Sequence, residues 1–454
     1  MNEKKKLKKF FQLRPAHIIV LGFFGVIVFG AFLICLPISA REGKWMNFLD
    51  AMFTATSAVS TTGLMVLPDT AVYFSVFGQI VLLLLIQFGG VGFMCITTLI
   101  MMLIRKKITL RDRLVMRTEF NQETTKGMVR LGRNIMIVTL AIEAAGFLML
   151  LYPFIRYSGG IGVWQALFTS VSAFCNAGFD IMGEGVSLGM FADNIIVNLS
   201  VSLLIVLGGF GFVVLMDIGN SKLNYKKLSL HSKVAIITSC VLIVVGAVFY
   251  FAVEFSNSFK DLSVGGKVLA ALFQSISPRS TGFATVDQNS MTSASKFMTM
   301  FLMFVGASPG STGGGIRTTT FTILLLVSIS GFRESENITV GYHKVNRRTA
   351  RKAVSVFVAC LLFVIVSAFI LLLSEHSAEA DLSFENLLFE CFSAHATTGL
   401  TCGVTPYLSA VGKIVIMLNM FVGRVGTVTI SLMFVKSAPL KENIVYPDGN
   451  INIG

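Results

Sequence analysis

Eight long apolar stretches constrain the fold of this 454-residue chain more than any other feature. A helix needs about 20 residues to cross the hydrocarbon core of a bilayer, and each stretch has at least about that length. With 54% hydrophobic and 13% charged residues, the composition is far from that of a soluble domain. We therefore predict an all-α integral membrane protein with eight transmembrane helices, at residues 17–38, 72–104, 134–155, 194–216, 234–255, 297–329, 353–374 and 408–435. The second, sixth and eighth stretches are long enough that they must be tilted, broken or extended past the bilayer.

The basic residues lie mainly on one side of these predicted spans. Of the 37 Lys and Arg residues, 27 fall in the two termini and in the loops 105–133, 217–233 and 331–352. Short basic loops stay in the cytosol, so both termini and these three loops are predicted to be cytosolic. The net charge of +13 therefore reports topology and predicts no nucleic-acid partner. The opposite side carries 14 of the 24 acidic residues, which would attract cations.

Four short segments on the outer side repeat one pattern. Each is too polar to cross the bilayer and too apolar for a solvated loop, so each is predicted to re-enter the membrane. A Phe is followed four residues later by a Ser, on the same face of a short helix, and then by a Gly. The Ser-to-Gly distance is six residues, or five in the third segment. The segments are Phe53, Ser57 and Gly63; Phe168, Ser172 and Gly178; Phe273, Ser277 and Gly282; and Phe389, Ser393 and Gly399.

These segments predict four pseudo-symmetric repeats, each made of a span, a re-entrant pore helix, a Gly-bearing extended strand and a second span. Non-helical backbone at membrane depth is tolerated only where it lines a water-filled or protein-enclosed cavity. Four such strands around one axis would enclose a central pore. The predicted boundaries are a cytosolic N-terminus at 1–16, repeat 1 at 17–104, a cytosolic loop at 105–133, repeat 2 at 134–216, a cytosolic loop at 217–233, repeat 3 at 234–329, a cytosolic loop at 330–352, repeat 4 at 353–435 and a cytosolic C-terminus at 436–454.

The strands have the chemistry of a cation selectivity filter. A bare ion in a medium of low dielectric costs tens of kcal/mol, and rings of backbone carbonyls can replace its water. The residues before each Gly are mostly small or hydroxylic, and Gly itself permits the positive φ that turns a peptide towards the axis. Arg279, in the third strand, is expected to point away from the ion path. The predicted ion-binding residues are Thr61, Thr62, Gly63, Asn176, Ala177, Gly178, Ser280, Thr281, Gly282, Thr397, Thr398 and Gly399.

The same hairpins leave one alternative open, an alternating-access carrier coupled to sodium or protons, in which re-entrant segments end half-helices around a substrate. Fourfold rather than twofold repetition favours the conducting pore. The spans carry one carboxylate away from their ends, Glu143, for which a buried hydrogen bond is predicted rather than ion binding. A membrane scaffold or receptor is disfavoured by the short cytosolic loops. No Walker A or phosphorylated-Asp motif is present, so an enzyme is not predicted and transport would draw on the membrane potential or a coupled ion.

Two further features interrupt the spans. The segment GASPGSTGGGIR, residues 306–317, cannot continue the sixth helix and must lie inside the protein. The segment is not interpreted as a phosphate loop, because it lacks the Gly-Lys-Ser/Thr of that motif. A helix kink filled by neighbouring helices remains an alternative interpretation of it. Arg424 costs roughly 2.5–3.5 kcal/mol to insert and must face a polar interior. The glycines of QFGGVGF (87–93) and LGGFGF (207–212) are expected to permit close helix crossing.

The four Phe-x3-Ser…Gly segments, followed by Gly-rich second helices, resemble the Trk/Ktr/HKT superfamily of potassium transporters over essentially the whole chain. In its length, and in lacking two extra N-terminal spans, the chain is most similar to the Ktr-type membrane subunit, KtrB or KtrD. The resemblance implies potassium uptake across the bacterial plasma membrane, with K+ at the filter and Na+ as a coupling or regulatory ion. It also implies a homodimer in membrane lipid and a cytosolic RCK-type ring of KtrA/KtrC-like subunits, which would hold the nucleotide while this chain binds no cofactor.

The resemblance also implies a gate. In Ktr and Trk proteins a stretch like 306–317 is an intramembrane loop that lies beneath the filter and moves when the regulatory ring changes shape. An arginine like Arg424 forms an electrostatic barrier in the pore, with a purely structural ion pair as the alternative, and Arg317 could serve either purpose. The gate residues implied are Gly306, Ser308, Gly310, Ser311, Thr312, Gly313, Gly314, Gly315, Arg317 and Arg424.

Overall fold

The structure is a computed structural model. It describes residues 15–67, 70–105, 108–120, 125–183, 187–222, 224–333, 337–341, 343–375 and 382–426. Most of the predicted N-terminal segment, the whole predicted C-terminal segment 436–454 and residues 427–435 of the eighth predicted span lie outside the described residues.

The described chain is mainly helical, as predicted. Its first half contains α1 (Pro15–Cys35), α2 (Phe48–Val59), α3 (Thr70–Tyr73), α4 (Val76–Val91), α5 (Phe93–Leu103), α6 (Leu110–Glu119), α7 (Met128–Ser158), α8 (Gly162–Phe174), α9 (Ile195–Phe210) and α10 (Phe212–Asn220). Its second half contains α11 (Leu230–Glu254), α12 (Val264–Ile276), α13 (Ser293–Val305), α14 (Thr318–Phe332), the strands β1 (Thr339–Val340) and β2 (His343–Lys344), α15 (Arg347–Ser374), α16 (Phe384–His395) and α17 (Ala410–Val425). The two strands pair antiparallel inside a predicted cytosolic loop, where the sequence predicted no strand.

Several described helices have the dimensions of membrane spans. The helices α1, α7, α11 and α15 are each long and apolar enough to cross a bilayer, and their sequences coincide with four of the predicted spans. They expose large apolar side chains, such as Phe29, Leu148, Val248 and Phe369, each more than 60% accessible. Because water would disfavour so many exposed apolar side chains, this surface is suited to lipid.

Two predicted spans are sharply bent at a glycine. The second is divided into α4 and α5, which form an angle of 101°, and the fourth into α9 and α10, which form an angle of 97°. Gly92 and Gly211 stand at the breaks with φ of 95° and 86°, a region that side chains strongly disfavour. The length of the second stretch predicted a break or tilt, whereas the fourth is no longer than the bilayer and its bend was not predicted. The sixth span breaks as expected, between α13 and α14.

The glycine-rich second helices approach the short helices very closely. A Cβ on Gly89, Gly208 or Gly423 would lie 2.0 Å from the carbonyl oxygen of the last residue of a short helix. The predicted role of such glycines in close helix crossing is therefore confirmed for α4 and α9. The three contacted carbonyls belong to Val59, Phe174 and His395.

Candidate functional site

The four re-entrant segments fold as short helices, namely α2, α8, α12 and α16. Their Phe side chains are at most 1% exposed and their Ser side chains are fully buried, so the shared spacing turns both towards the protein interior. Each helix then ends, and a backbone amide three residues later, or five in repeat 3, donates a hydrogen bond back to the carbonyl of the Ser. These bonds are Thr62 to Ser57 (2.8 Å), Ala177 to Ser172 (2.8 Å), Thr281 to Ser277 (3.0 Å) and Thr398 to Ser393 (2.9 Å).

The hydroxyl of the same Ser holds the strand that follows. In repeats 1 and 4 it accepts a hydrogen bond from the amide of the repeat glycine, at 3.1 Å for Ser57 and 3.0 Å for Ser393. In repeats 2 and 3 it donates instead to the carbonyl of the residue after the glycine, at 2.7 Å for Ser172. A buried backbone group without a partner would be costly, so the Ser explains why the pattern requires a hydroxyl at this position. The sequence placed Phe and Ser on one face but did not reveal this bond.

The four repeat glycines form a closed ring. A Cβ on Gly63 would lie 2.5 Å from the carbonyl oxygen of Ala177, in the next repeat. The same relation continues from Gly178 to the Thr281 oxygen at 2.0 Å, from Gly282 to the Thr398 oxygen at 2.1 Å, and from Gly399 back to the Thr62 oxygen at 1.9 Å. All four glycines have positive φ, of 95°, 67°, 82° and 91°. Only glycine fits here, because any side chain would displace the backbone of the neighbouring repeat.

Backbone conformation before the glycines is also unusual. Thr61, Asn176 and Thr397, each two residues before its glycine, have φ between 50° and 54°. A left-handed conformation is unfavourable for threonine, and such strain of about 1–3 kcal/mol gathers at functional sites. The third repeat differs: a short 3-10 helix over Ser277–Arg279 replaces this turn, and the φ of Ser280 is −171° and not left-handed. Its Ser-to-Gly distance, shorter by one residue, accounts for the difference.

Side chains of the predicted filter residues bond outward to neighbouring segments. The Thr398 hydroxyl donates to the Pro278 carbonyl at 3.1 Å, and the Thr281 hydroxyl lies 2.9 Å from the side-chain amide of Asn176. Thr61 donates to Thr312 of the loop at 3.1 Å. Each of these three hydroxyls is therefore satisfied by an adjacent strand or by loop 306–317.

A cavity of about 310 Å³ opens on one side of the ring. All four repeat glycines line it, together with side chains from the segments that follow them, including the carboxylates Asp180 and Asp287 and the hydroxyl of Thr401. The C-terminal ends of the four short helices meet at the same ring. Helix C-termini carry partial negative charge, so the ring and its cavity favour cations.

Loop 306–317 packs against the ring on the side away from this cavity. It touches all four repeats. The Thr61 hydroxyl donates to the Thr312 carbonyl (3.1 Å), and the Thr312 hydroxyl donates to the Gly208 carbonyl (3.2 Å). Gly313 packs against Ser280 and Gly314 against Thr397. A Cβ on these two glycines would lie 2.6 Å and 2.4 Å from the respective side chains. A second cavity of about 940 Å³ lies beyond the loop, lined among the described residues by Gly310, Arg317, Arg117 and Arg348.

Two arginines hold the loop. Arg424 donates to the Thr312 carbonyl and to the carbonyls of Gly89 and Gly90, so its guanidinium joins the loop to the second helix of repeat 1. Arg317 bonds within the loop, to the Gly313 carbonyl and at 3.2 Å to the Ser311 hydroxyl. Each guanidinium is held by backbone carbonyls and hydroxyls, and the two ion pairs found among the described residues involve neither arginine. Arg424 therefore faces a polar interior, as its position in a span required.

Two other polar predictions agree with the structure. Arg279 is buried and turns to Ser239 and to the Gly306 carbonyl, at 3.0 Å and 3.3 Å, and not into the ring. Glu143 accepts a hydrogen bond from Gln87 at 3.3 Å, which is the buried hydrogen bond predicted for it.

Sequence reasoning missed Glu119, which lies in a predicted cytosolic loop and carries no motif. Its carboxylate accepts a hydrogen bond from the Met94 amide at 3.2 Å and so caps α5 at the bend beside Gly92. It also lines the 940 Å³ cavity. Burial raises the pKa of Glu119 to about 7.

Comparisons with known proteins agree with this architecture. The TrkH family model, described as "Cation transport protein", matches residues 26–446. The chain is 36% identical to the Ktr system potassium uptake protein B of Bacillus subtilis over 100% of this chain and 99% of that protein. It is also 36% identical to the potassium/sodium uptake protein NtpJ of Enterococcus hirae, over 99% of each.

The fold has a solved relative. The crystal structure of the potassium transporter TrkH from Vibrio parahaemolyticus superimposes with a TM-score of 0.70, at 18% identity, over 91% of this chain and 84% of that one. The match to the family model covers most of the chain, and two of its near-full-length relatives are the Ktr system potassium uptake proteins B and D of Bacillus subtilis. The chain therefore belongs to the TrkH family of cation transport proteins, a family of transporters and not of enzymes, and within it resembles the Ktr-type membrane subunit.

Proposed function

We propose that this chain is the ion-conducting subunit of a Ktr-like system that takes up potassium across the bacterial plasma membrane. One observation carries the proposal, namely the cyclic contact of Gly63, Gly178, Gly282 and Gly399 with the carbonyls of their neighbours. Backbone carbonyls around an axis replace the hydration shell of a cation, and the full-length relatives named for potassium uptake indicate K+ as the ion. The eight predicted spans would surround this ring as four pseudo-symmetric repeats with both termini in the cytosol.

The ring also disfavours an alternating-access carrier. In a carrier built from inverted repeats, one pair of broken helices binds the substrate, and the other hairpins need not meet. Here all four glycines are locked by the carbonyl of the next repeat. In a conducting filter, all four glycines are equally important for ion selectivity. The membrane potential would then drive K+ uptake, with about 2.3 kcal/mol for each charge that crosses 100 mV.

Loop 306–317 is the gate in this proposal. It closes the space beneath the ring through contacts with all four repeats, and its glycines leave its backbone free to take another path. Arg424 holds it shut through the Thr312 carbonyl and places a positive charge on the ion path. A cytosolic RCK-type ring that binds nucleotide would shift the loop, in an assembly with a homodimer of this chain.

Growth on limiting potassium tests the proposal. A bacterium without its own K+ uptake systems would be complemented with this chain alone, with this chain and an RCK-type partner, and with the empty vector. We expect rescue by the chain with the partner, together with uptake of the K+ analogue Rb+. Correct membrane insertion without rescue or Rb+ uptake in either combination would contradict it.

A further inference from the structure

The residue directly after the Phe of each repeat differs between the repeats in a way that the filter does not explain. It is Thr54 in repeat 1, Thr169 in repeat 2, Gln274 in repeat 3 and Glu390 in repeat 4, and all four side chains are fully buried. The series therefore contains two hydroxyls, an amide and a single carboxylate at equivalent positions of four short helices.

In repeat 3 this position braces the segment that leaves the ring. The amide of Gln274 donates to Gln288 at 2.7 Å and receives a bond from Gln288 at 3.2 Å. Gln288 is the sixth residue after Gly282. A neutral pair of amides is thus sufficient to tie a short helix to its outgoing strand.

Repeat 4 uses the same brace with a carboxylate. Glu390 Oε1 accepts hydrogen bonds from the hydroxyl of Thr405, the sixth residue after Gly399, and from that of Thr401 at 3.2 Å. Thr401 lines the 310 Å³ cavity above the ring, together with Gly399. The carboxylate is therefore one side chain away from the space that the proposed ion path enters.

Glu390 forms no ion pair among the described residues. Glu390 Oε2 is buried without a hydrogen-bond partner, and the ion pairs in the described part of the chain join Lys44 to Glu42 and Lys413 to Asp50. The buried amine of Lys296 donates to Asn386, one turn before Glu390 on the same helix, at 3.2 Å. A buried carboxylate without a countercharge is strongly unfavourable, so a brace alone would be better served by an amide.

Glu254 shows what a structural carboxylate looks like in the same chain. It is also fully buried, but both of its oxygens accept hydrogen bonds, from the amide and hydroxyl of Thr292, from Asn257 and from the Ser258 amide. It caps the start of α13 and needs no cation. Glu390 differs from Glu254 in two ways: one of its carboxylate oxygens has no hydrogen-bond partner, and it lies beside the 310 Å³ cavity.

We propose that Glu390 is the fixed negative charge that raises the affinity of the outer end of the ring for a monovalent cation, and that the transported ion is its countercharge. This inference rests on the proposed potassium function. Glu390 does not need to touch the ion, because its charge acts through the Thr401 hydroxyl and the strand from Gly399, in surroundings of low dielectric. It is thus a residue that determines cation affinity in one quadrant of the ring.

The test compares K+ uptake kinetics of the wild type with those of Glu390→Gln. Gln is isosteric, and its carbonyl can still accept bonds from both threonine hydroxyls, so only the charge is lost. One charge acting through protein at an effective dielectric of about 20 is expected to change the half-saturating K+ concentration roughly tenfold. Thermal stabilisation of the purified chain by K+ is measured in parallel and should need correspondingly more K+.

A charge-transfer variant separates charge from bracing. The triple variant Glu390→Gln, Gln274→Glu, Gln288→Thr removes the carboxylate from repeat 4 and builds the same pair of carboxylate and threonine in repeat 3 of the same ring. Most of the K+ affinity should return in this variant. Glu254→Gln is the matched control, which should lower the Tm and leave the half-saturating concentration unchanged. Should Glu390→Gln fail to fold, Gln274→Glu with Gln288→Thr in the wild type must lower that concentration.

An unchanged half-saturating concentration in Glu390→Gln would overturn the inference, and so would a defect that the charge transfer does not repair, since the role would then be local bracing. Absence of K+ uptake by the wild type would instead overturn the proposed potassium function. The two failures are therefore distinguishable.

Discussion

Replacement of one ring glycine by alanine tests the geometry of the site directly. In Gly282→Ala the new Cβ would lie 2.1 Å from the Thr398 carbonyl oxygen, whereas real Cβ atoms essentially never approach closer than 3.0 Å, so this oxygen must move by at least about 0.9 Å. The φ of 82° adds about 1–2 kcal/mol of backbone strain. The displaced carbonyl is one of the proposed ion ligands.

The expected loss of K+ over Na+ preference follows from the free energy that one polar contact with a charged group contributes. Such a contact contributes about 1.5–3 kcal/mol, so K+ over Na+ preference should fall roughly tenfold or more. Rb+ and Na+ uptake by purified protein in liposomes measures this preference. The equivalent alanine variants of Gly63, Gly178 and Gly399 should behave alike, because each has the same contact.

Gly403→Ala is the matched control. Gly403 lines the same outer cavity and has a φ of 80°, but a Cβ there would meet nothing within 4 Å. Its alanine variant should carry the backbone strain and retain the ion preference. Equal preference in Gly282→Ala and the wild type, or an equal loss in Gly403→Ala, would refute the reasoning.

Three further variants probe the supports of the ring and the loop. Ser57→Ala leaves the Gly63 amide without its acceptor and should lower stability by about 1–3 kcal/mol, seen as a lower Tm; an unchanged Tm would contradict the strand-holding role. Arg424→Gln should release the loop and raise Rb+ flux several-fold in liposomes that lack the regulatory ring, and unchanged flux would exclude the latch. The pKa of Glu119 is about 7 in the folded chain and 4.5 for an ordinary glutamate, so the folded chain holds this proton more tightly than the unfolded chain. The free energy of unfolding should therefore fall as the pH rises from about 4.5 to about 7. Glu119→Gln should therefore show a smaller fall in Tm between pH 5 and pH 8 than the wild type, and an identical fall would argue against this carboxylate.

Much of the architecture could be predicted because it is written in local patterns. The four Phe and Ser pairs mark the four short helices, and long apolar stretches mark α1, α7, α11 and α15. The break after Val305 follows from a run of glycines and a proline that no helix can accommodate.

Other features arise only from contacts between repeats. The bend at Gly211 depends on the loop beneath it, because a Cβ there would lie 2.6 Å from the Pro309 carbonyl oxygen, and the apolar stretch itself is of ordinary length. Glu119 looks like a solvated residue until α6 folds back on the amide of Met94. The cyclic order of the ring likewise requires four distant segments to meet, which no single segment specifies.

The central claim is that the backbone ring binds K+. Crystals of the protein with Rb+ or Tl+ in place of K+ would locate the ion by anomalous scattering. The account predicts a peak enclosed by Gly63, Gly178, Gly282 and Gly399, weakened in Gly282→Ala. Anomalous peaks elsewhere in the membrane region, with none inside the ring, would contradict it.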